Sequence, residues 1–185
     1  MKTGLVLEGG GMRGIYTAGI LDAFMEHDIN FDGVIGVSAG AIHGCSFVSR
    51  QKGRSIRYYK KYCQDPRFMS FKSLITTGDF VGAEFCYHEL PEKLDVYDND
   101  AFQASSTDFY ITCTDLETGK AVNHLVKDMF KEVEQEGTVL VIRPVASLNI
   151  GRLENNPEKI QEIYDIGYQD GMKMAEKVKA FLAAE

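Results

Sequence analysis

The chain has 185 residues, is 44% hydrophobic and 25% charged, and carries a formal net charge of −7. Those values fit one globular domain with a buried core. The acidic balance argues against a nucleic-acid partner and gives no strong electrostatic pull towards anionic membranes, and no run reaches the roughly 18 apolar residues of a membrane-spanning helix.

Residues 3–8 predict a first strand, which runs into Gly9-Gly10-Gly11-Met12-Arg13-Gly14. Residues 15–27 predict a helix, with Ile15, Ala18, Leu21 and Phe24 on a broad apolar face. The glycines thus stand between a strand's end and a helix's start. Unpaired backbone N–H groups at such a place favour negative charge. That charge is either a nucleotide phosphate or the oxyanion of an acyl-transfer intermediate. Arg13 would add positive potential; a solvated surface arginine is the plainer role.

A second apolar run, 31–37, predicts a buried strand that ends in Gly36-Val37-Ser38-Ala39-Gly40. A G-x-S-x-G segment puts serine on a tight strand-to-helix turn, where small neighbours relieve a strained backbone. Residues 39–48 can form the helix that follows. A glycine-rich turn with an idle serine is the alternative. The loop also matches G-x-G-x-x-G, the dinucleotide fingerprint, which predicts an acidic residue at the end of the second strand. Val37-Ser38 stands there instead, and Asp32 lies at the strand's start, so nucleotide binding ranks second.

Further along, 54–63 reads as a basic, tyrosine-rich helix. Ile56, Tyr59 and Cys63 share a face, with Arg57, Lys60 and Lys61 largely elsewhere; a surface helix with one buried stripe is favoured over an interfacial one. The apolar pieces of 68–85 are either the wall of an acyl pocket or plain core. A predicted strand from Phe109 ends before Asp115, and a hairpin closes at about His124. A helix over 125–132, a strand over 138–143 ending at Pro144, and a long helix over 157–184 complete the chain. Pro157 suits the first turn of that last helix, whose expected role is to cover one face of the sheet. Cys45, Cys63, Cys86 and Cys113 show no C-x-x-C spacing and read as thiols of a reducing compartment. Met1-Lys2 leads straight into the first strand, so a cytoplasmic protein is expected, with peripheral membrane contact left open.

The glycine loop followed by the serine elbow resembles the N-terminal core of patatin-like phospholipases. The resemblance covers 4–44 and continues through Phe109-Tyr110-Ile111-Thr112-Cys113-Thr114-Asp115-Leu116-Glu117-Thr118-Gly119-Lys120 and Val139-Leu140-Val141-Ile142-Arg143-Pro144. It implies a Ser–Asp dyad without a catalytic histidine. Ser38 would be the nucleophile, and the loop 9–14, through N–H groups around Gly10 and Gly11, the oxyanion hole. It implies no metal or organic cofactor, and a lipid or acyl-ester substrate met at a membrane surface if that lipid is membrane-bound. The expected fold is a three-layer α/β/α sandwich on a mainly parallel sheet, as one domain over 1–185. Oligomeric state is not legible.

The family's base, an Asp in an Asp-Gly-Gly or Asp-Gly-Ala turn, has no counterpart. Asp32-Gly33 precedes the nucleophile strand, and Asp170-Gly171 lies in the last helix. The family-like text breaks off near His124 and resumes near Asp128, which implies a missing segment near 124–128. Three accounts compete: a stretch of the natural polypeptide lying outside these 185 residues, a true deletion that leaves a non-catalytic binding protein, or another carboxylate in the role. The first is favoured, because every remaining segment reads as intact enzyme. Asp115 is the fallback base, although capping its own turn is its plainer role. A Ser38–Asp115–His124 triad obeys the α/β-hydrolase order but ranks low; His27 and His43 read as helix-surface or core positions.

Overall fold

The computed structural model describes residues 2–78, 80–125, 140 and 142–183. Strand β1 spans Gly4–Leu7, and a 3-10 turn over Gly11–Gly14 leads into helix α1, Ile15–Glu26. Strand β2 follows over Gly33–Val37, then α2 over Ala39–Val48 and α3 over Arg54–Tyr62. Helix α4, Phe71–Thr77, a π-helix over Phe85–Leu94 and α5, Asn99–Ala104, form an intervening segment. The hairpin of β3, Asp108–Thr114, and β4, Ala121–Leu125, precedes the long α6, Pro157–Ala183.

The four strands form one sheet in the order β1-β2-β3-β4. The first three are parallel, with Leu7 opposite Gly36 and Val37 opposite Thr112; β4 runs antiparallel to β3, with His124 opposite Ile111. This is the expected α/β architecture, a mostly parallel sheet with flanking helices. Parallel neighbours need crossover connections. Crossovers that step the same way, each right-handed, bring their helices to the same face. Leu7, Val34 and Phe109 are buried on that face. Gly44 of α2 abuts the rings and methyls of Phe109 and Leu7, and Phe102 of α5 meets the Phe109 ring edge-on at 5.8 Å. On the opposite face Val6 is 73% exposed and Val37 40%.

Helix α6 packs chiefly along α1, with α3 as a second neighbour. Gly19, Gly167 and Gly171 let the two backbones approach. Three tyrosine hydroxyls then tie the helices: Tyr16 donates to Asp170 at 2.9 Å, Tyr164 to Asp22 at 2.6 Å, and Tyr168 to Glu26. Asp22 also accepts from the Gly53 N–H at 3.0 Å, which brings the start of α3 to the same pair. Burial pushes the Asp22 carboxyl up despite those donors.

In α3 the buried face carries Arg54, Ser55, Tyr58, Tyr59 and Tyr62. The expected stripe therefore includes a cation and excludes Ile56, which is only half-buried. Arg54 lies between the Tyr58 and Tyr97 rings, at 5.2 and 5.3 Å, and donates to the Asp95 carbonyl. Its charge is met by the Asp95 carboxylate, which Arg57 also grips with two hydrogen bonds. Phe68 and Phe85 join the core, while Leu74 and Ile75 of α4 are exposed. That segment is thus core in part and surface in part. The expected helix over 125–132 falls, past Leu125, outside the described residues. So do Val139 and Val141 of the expected strand over 138–143, while Ile142 and Arg143 lie in irregular backbone.

Candidate active site

Ser38 caps the N-terminus of α2 directly after β2, with φ 53° and ψ −121°. A serine held at positive φ is strained, and such strain persists only where the surroundings impose it. Two glycines do so here. A Cβ at Gly36 would stand 2.6 Å from Ala41 Cα, and one at Gly40 would stand 2.7 Å from the Glu8 carbonyl oxygen. The helix therefore starts against β1 and β2 with no room for side chains, and the serine is exposed at the sheet's carboxyl edge. This is the strand-to-helix turn predicted from Gly36-Val37-Ser38-Ala39-Gly40.

The glycine loop lies beside it. A Cβ on Gly9 would be 3.1 Å from Ser38 Cβ. Within the loop, the Arg13 N–H donates to the Gly10 carbonyl at 3.3 Å. The Met12 N–H donates at 3.1 Å to the carbonyl of Arg152, far along the chain. Gly11, at φ 57°, packs against that same carbonyl: a Cβ there would be 2.7 Å from it. Met12 and Gly14 are buried, while Gly9, Gly11 and Arg13 are exposed. Among the described residues, no acceptor meets the N–H of Gly10 or Gly11. Nothing in the spacing of the sequence pointed to Arg152, because its contribution is a backbone carbonyl.

The three aspartates weighed from the sequence are engaged elsewhere. Asp115 Oδ1 accepts from the N–H groups of Glu117 and Thr118, at 2.9 and 2.8 Å. The Thr118 N–H and hydroxyl, then the Glu117 N–H, hold this carboxyl below its usual range. Asp115 is thus the cap of its own turn, and no hydrogen bond joins it to Ser38 among the described residues. Asp32 sits at the far end of β2, bound to the N–H and hydroxyl of Thr3. Asp170, on α6, accepts from the hydroxyl of Tyr16 on α1.

The histidines divide by burial. His88 is exposed and pairs with Glu92, His27 is half-buried, and the side chain of His124 lies outside the described residues. His43 is fully enclosed, and burial pushes its imidazole down to about 4. Between pH 6.5 and 4, unfolded chains take up a proton that the folded chain refuses. The stability linked to His43 is therefore complete above pH 6.5 and falls as the pH drops towards 4. Urea denaturation across that range should show a loss of about 3 kcal/mol that His43→Gln does not show. Parallel slopes in the two proteins would mean that His43 is not held neutral.

All four cysteines are free, with Cys63 buried and Cys113 exposed. No helix among the described residues is long and apolar enough to cross a membrane.

The family model of patatin-like phospholipase matches residues 5–158. Uncharacterized protein YjjU of Escherichia coli (strain K12) is 35% identical over 85 residues, which are 45% of this chain and 24% of that protein. The chain thus spans about a quarter of the length of the curated relative it matches.

Proposed function

Because the chain belongs to the patatin-like phospholipase family, we propose that it is a serine acyl hydrolase of lipid esters, with Ser38 as the nucleophile. The observation that carries this is the forced positive φ of Ser38 beside the glycine loop. Attack by its hydroxyl on an ester carbonyl forms a tetrahedral oxyanion. The donors proposed for that oxyanion are the N–H groups of Gly10 and Gly11, since those of Met12 and Arg13 already have acceptors. Preorganised donors of this kind contribute about 2.7–4 kcal/mol each to the transition state. The leaving alcohol departs with a proton, and water then releases the acyl group from Ser38.

The proposed base is an aspartate of the family's Asp-Gly turn, reached through a segment between His124 and Asp128 that these 185 residues lack. One observation favours a second reading, a non-catalytic acyl-binding relative: no carboxylate bonds Ser38 among the described residues. In both readings the ligand is a lipid or acyl ester, with no cofactor, and the setting is cytoplasmic or at a membrane surface.

A fluorophosphonate probe separates the two. Under the hydrolase reading it labels Ser38, slowly in this chain, and Ser38→Ala abolishes labelling. Labelling at another residue, or none after prolonged exposure, would leave only the binding reading.

A further inference from the structure

We infer that His43 is a positioning residue of the candidate site: a tethered neutral imidazole that spaces the glycine loop from the nucleophile's helix. What the spacing serves rests on the hydrolase reading above. His43 lies on α2 and is 1% exposed. Its Nδ1 is 3.0 Å from the Oγ of Ser55, a buried residue of α3. Its Nε2 has no hydrogen-bond partner among the described residues. The Tyr59 ring stands against it at 5.3 Å between centroids. A Cβ built on Gly14 would lie 3.1 Å from Nε2, 3.2 Å from Cδ2 and 2.9 Å from the Ala39 Cβ. The ring edge, the neighbour of the nucleophile and the last residue of the glycine loop therefore meet at one contact.

The contact selects a tautomer. A proton on Nε2 would bury an unmet N–H donor against the Gly14 Cα, at the cost of its lost hydration. A bare Nε2 instead faces a Cα–H, which is weakly attractive. The proton accordingly sits on Nδ1 and is donated to Ser55 Oγ. Tethered at Nδ1 and pressed on Gly14 at the other edge, the ring cannot tip. It sets how near the loop, and with it the N–H groups of Gly10 and Gly11, can come to Ser38.

His43→Asn keeps a hydrogen-bonding atom for Ser55 but removes the edge at Gly14. The maximal rate of fluorophosphonate capture by Ser38 should fall about 10–100-fold, because displacement by about 1 Å costs on that order. The half-saturating probe concentration should stay within about twofold, since the inference concerns alignment and not affinity. Nitrogen-15 NMR of the parent protein should show the His43 proton on Nδ1, and the amide signals of residues 10–14 should move in His43→Asn. A proton on Nε2, unmoved loop amides, or a lower melting temperature with unchanged capture would each overturn the inference. If the parent protein captures no probe, the hydrolase reading falls by itself, and the two NMR readings still decide whether His43 spaces the loop.

Discussion

Short-chain ester turnover by the 185-residue chain should be about 10²–10⁴-fold below that of the same chain given a family-type Asp-Gly-Gly segment between His124 and Asp128, the range that general-base help supplies. A neutral serine hydroxyl is a poor nucleophile until a base takes its proton. No described carboxylate does so: Asp115 is held by Glu117 and Thr118, Asp32 by Thr3, and Asp170 by Tyr16. The glycine loop would still leave a residual rate, because oxyanion donors act without the base. Removing the inserted aspartate should return turnover to the level of the parent chain. Asp115→Asn, measured in the parent, should leave its low rate within about twofold, since a half-buried cap that accepts from its own turn contributes little beyond that loop. High parent activity that collapses in Asp115→Asn would make Asp115 the base. High activity lost only in His124→Ala would favour a histidine triad.

Gly167→Val should lower unfolding free energy by about 3 kcal/mol or more, from overpacking together with lost buried hydrogen bonds. A Cβ on Gly167 would come closer than 3.0 Å to the Tyr16 carbonyl oxygen, and one on Gly19 equally close to the Tyr164 carbonyl. These are backbone atoms, so no side chain can swing aside. The helices would have to part, loosening the bonds from Tyr16 to Asp170 and from Tyr164 to Asp22. Helix propensity alone pulls the other way for alanine, by about 1 kcal/mol relative to glycine. The sign for Gly167→Ala is therefore informative. Urea denaturation that finds Gly167→Ala more stable than the parent would show that α1 and α6 do not approach this closely. Gly4→Ala, with nothing within 4 Å of the new methyl, is the control.

Much of the fold was legible because it is written locally. The apolar periodicity over 15–27 and 157–184 anticipates α1 and α6 to within a residue at their ends, and 39–48 matches α2. The turn chemistry of Asp115 was legible too, since an aspartate that accepts from the N–H groups two and three residues on is a short-range matter. Arg54 was not. Its burial depends on Asp95 and Tyr97, which arrive from beyond the π-helix. His43 was read only as a core or surface position, because its tether, Ser55, lies on another helix.

The sequence alone determined the order of parts: a glycine loop at the end of one strand, a G-x-S-x-G turn at the end of the next, and no Asp-Gly-Gly or Asp-Gly-Ala turn among the 185 residues. Each is set by neighbours a few residues apart, where turn geometry and side-chain size suffice. Only the tertiary structure decided which loop N–H groups have acceptors, since the Met12 partner is a carbonyl from Arg152. It alone put Gly9 against Ser38 and left Val6 and Val37 exposed on one side of the sheet. Those outcomes follow from crossovers that bring distant backbone together, and neither a backbone carbonyl nor the exposure of an apolar sheet residue has a signature in residue type.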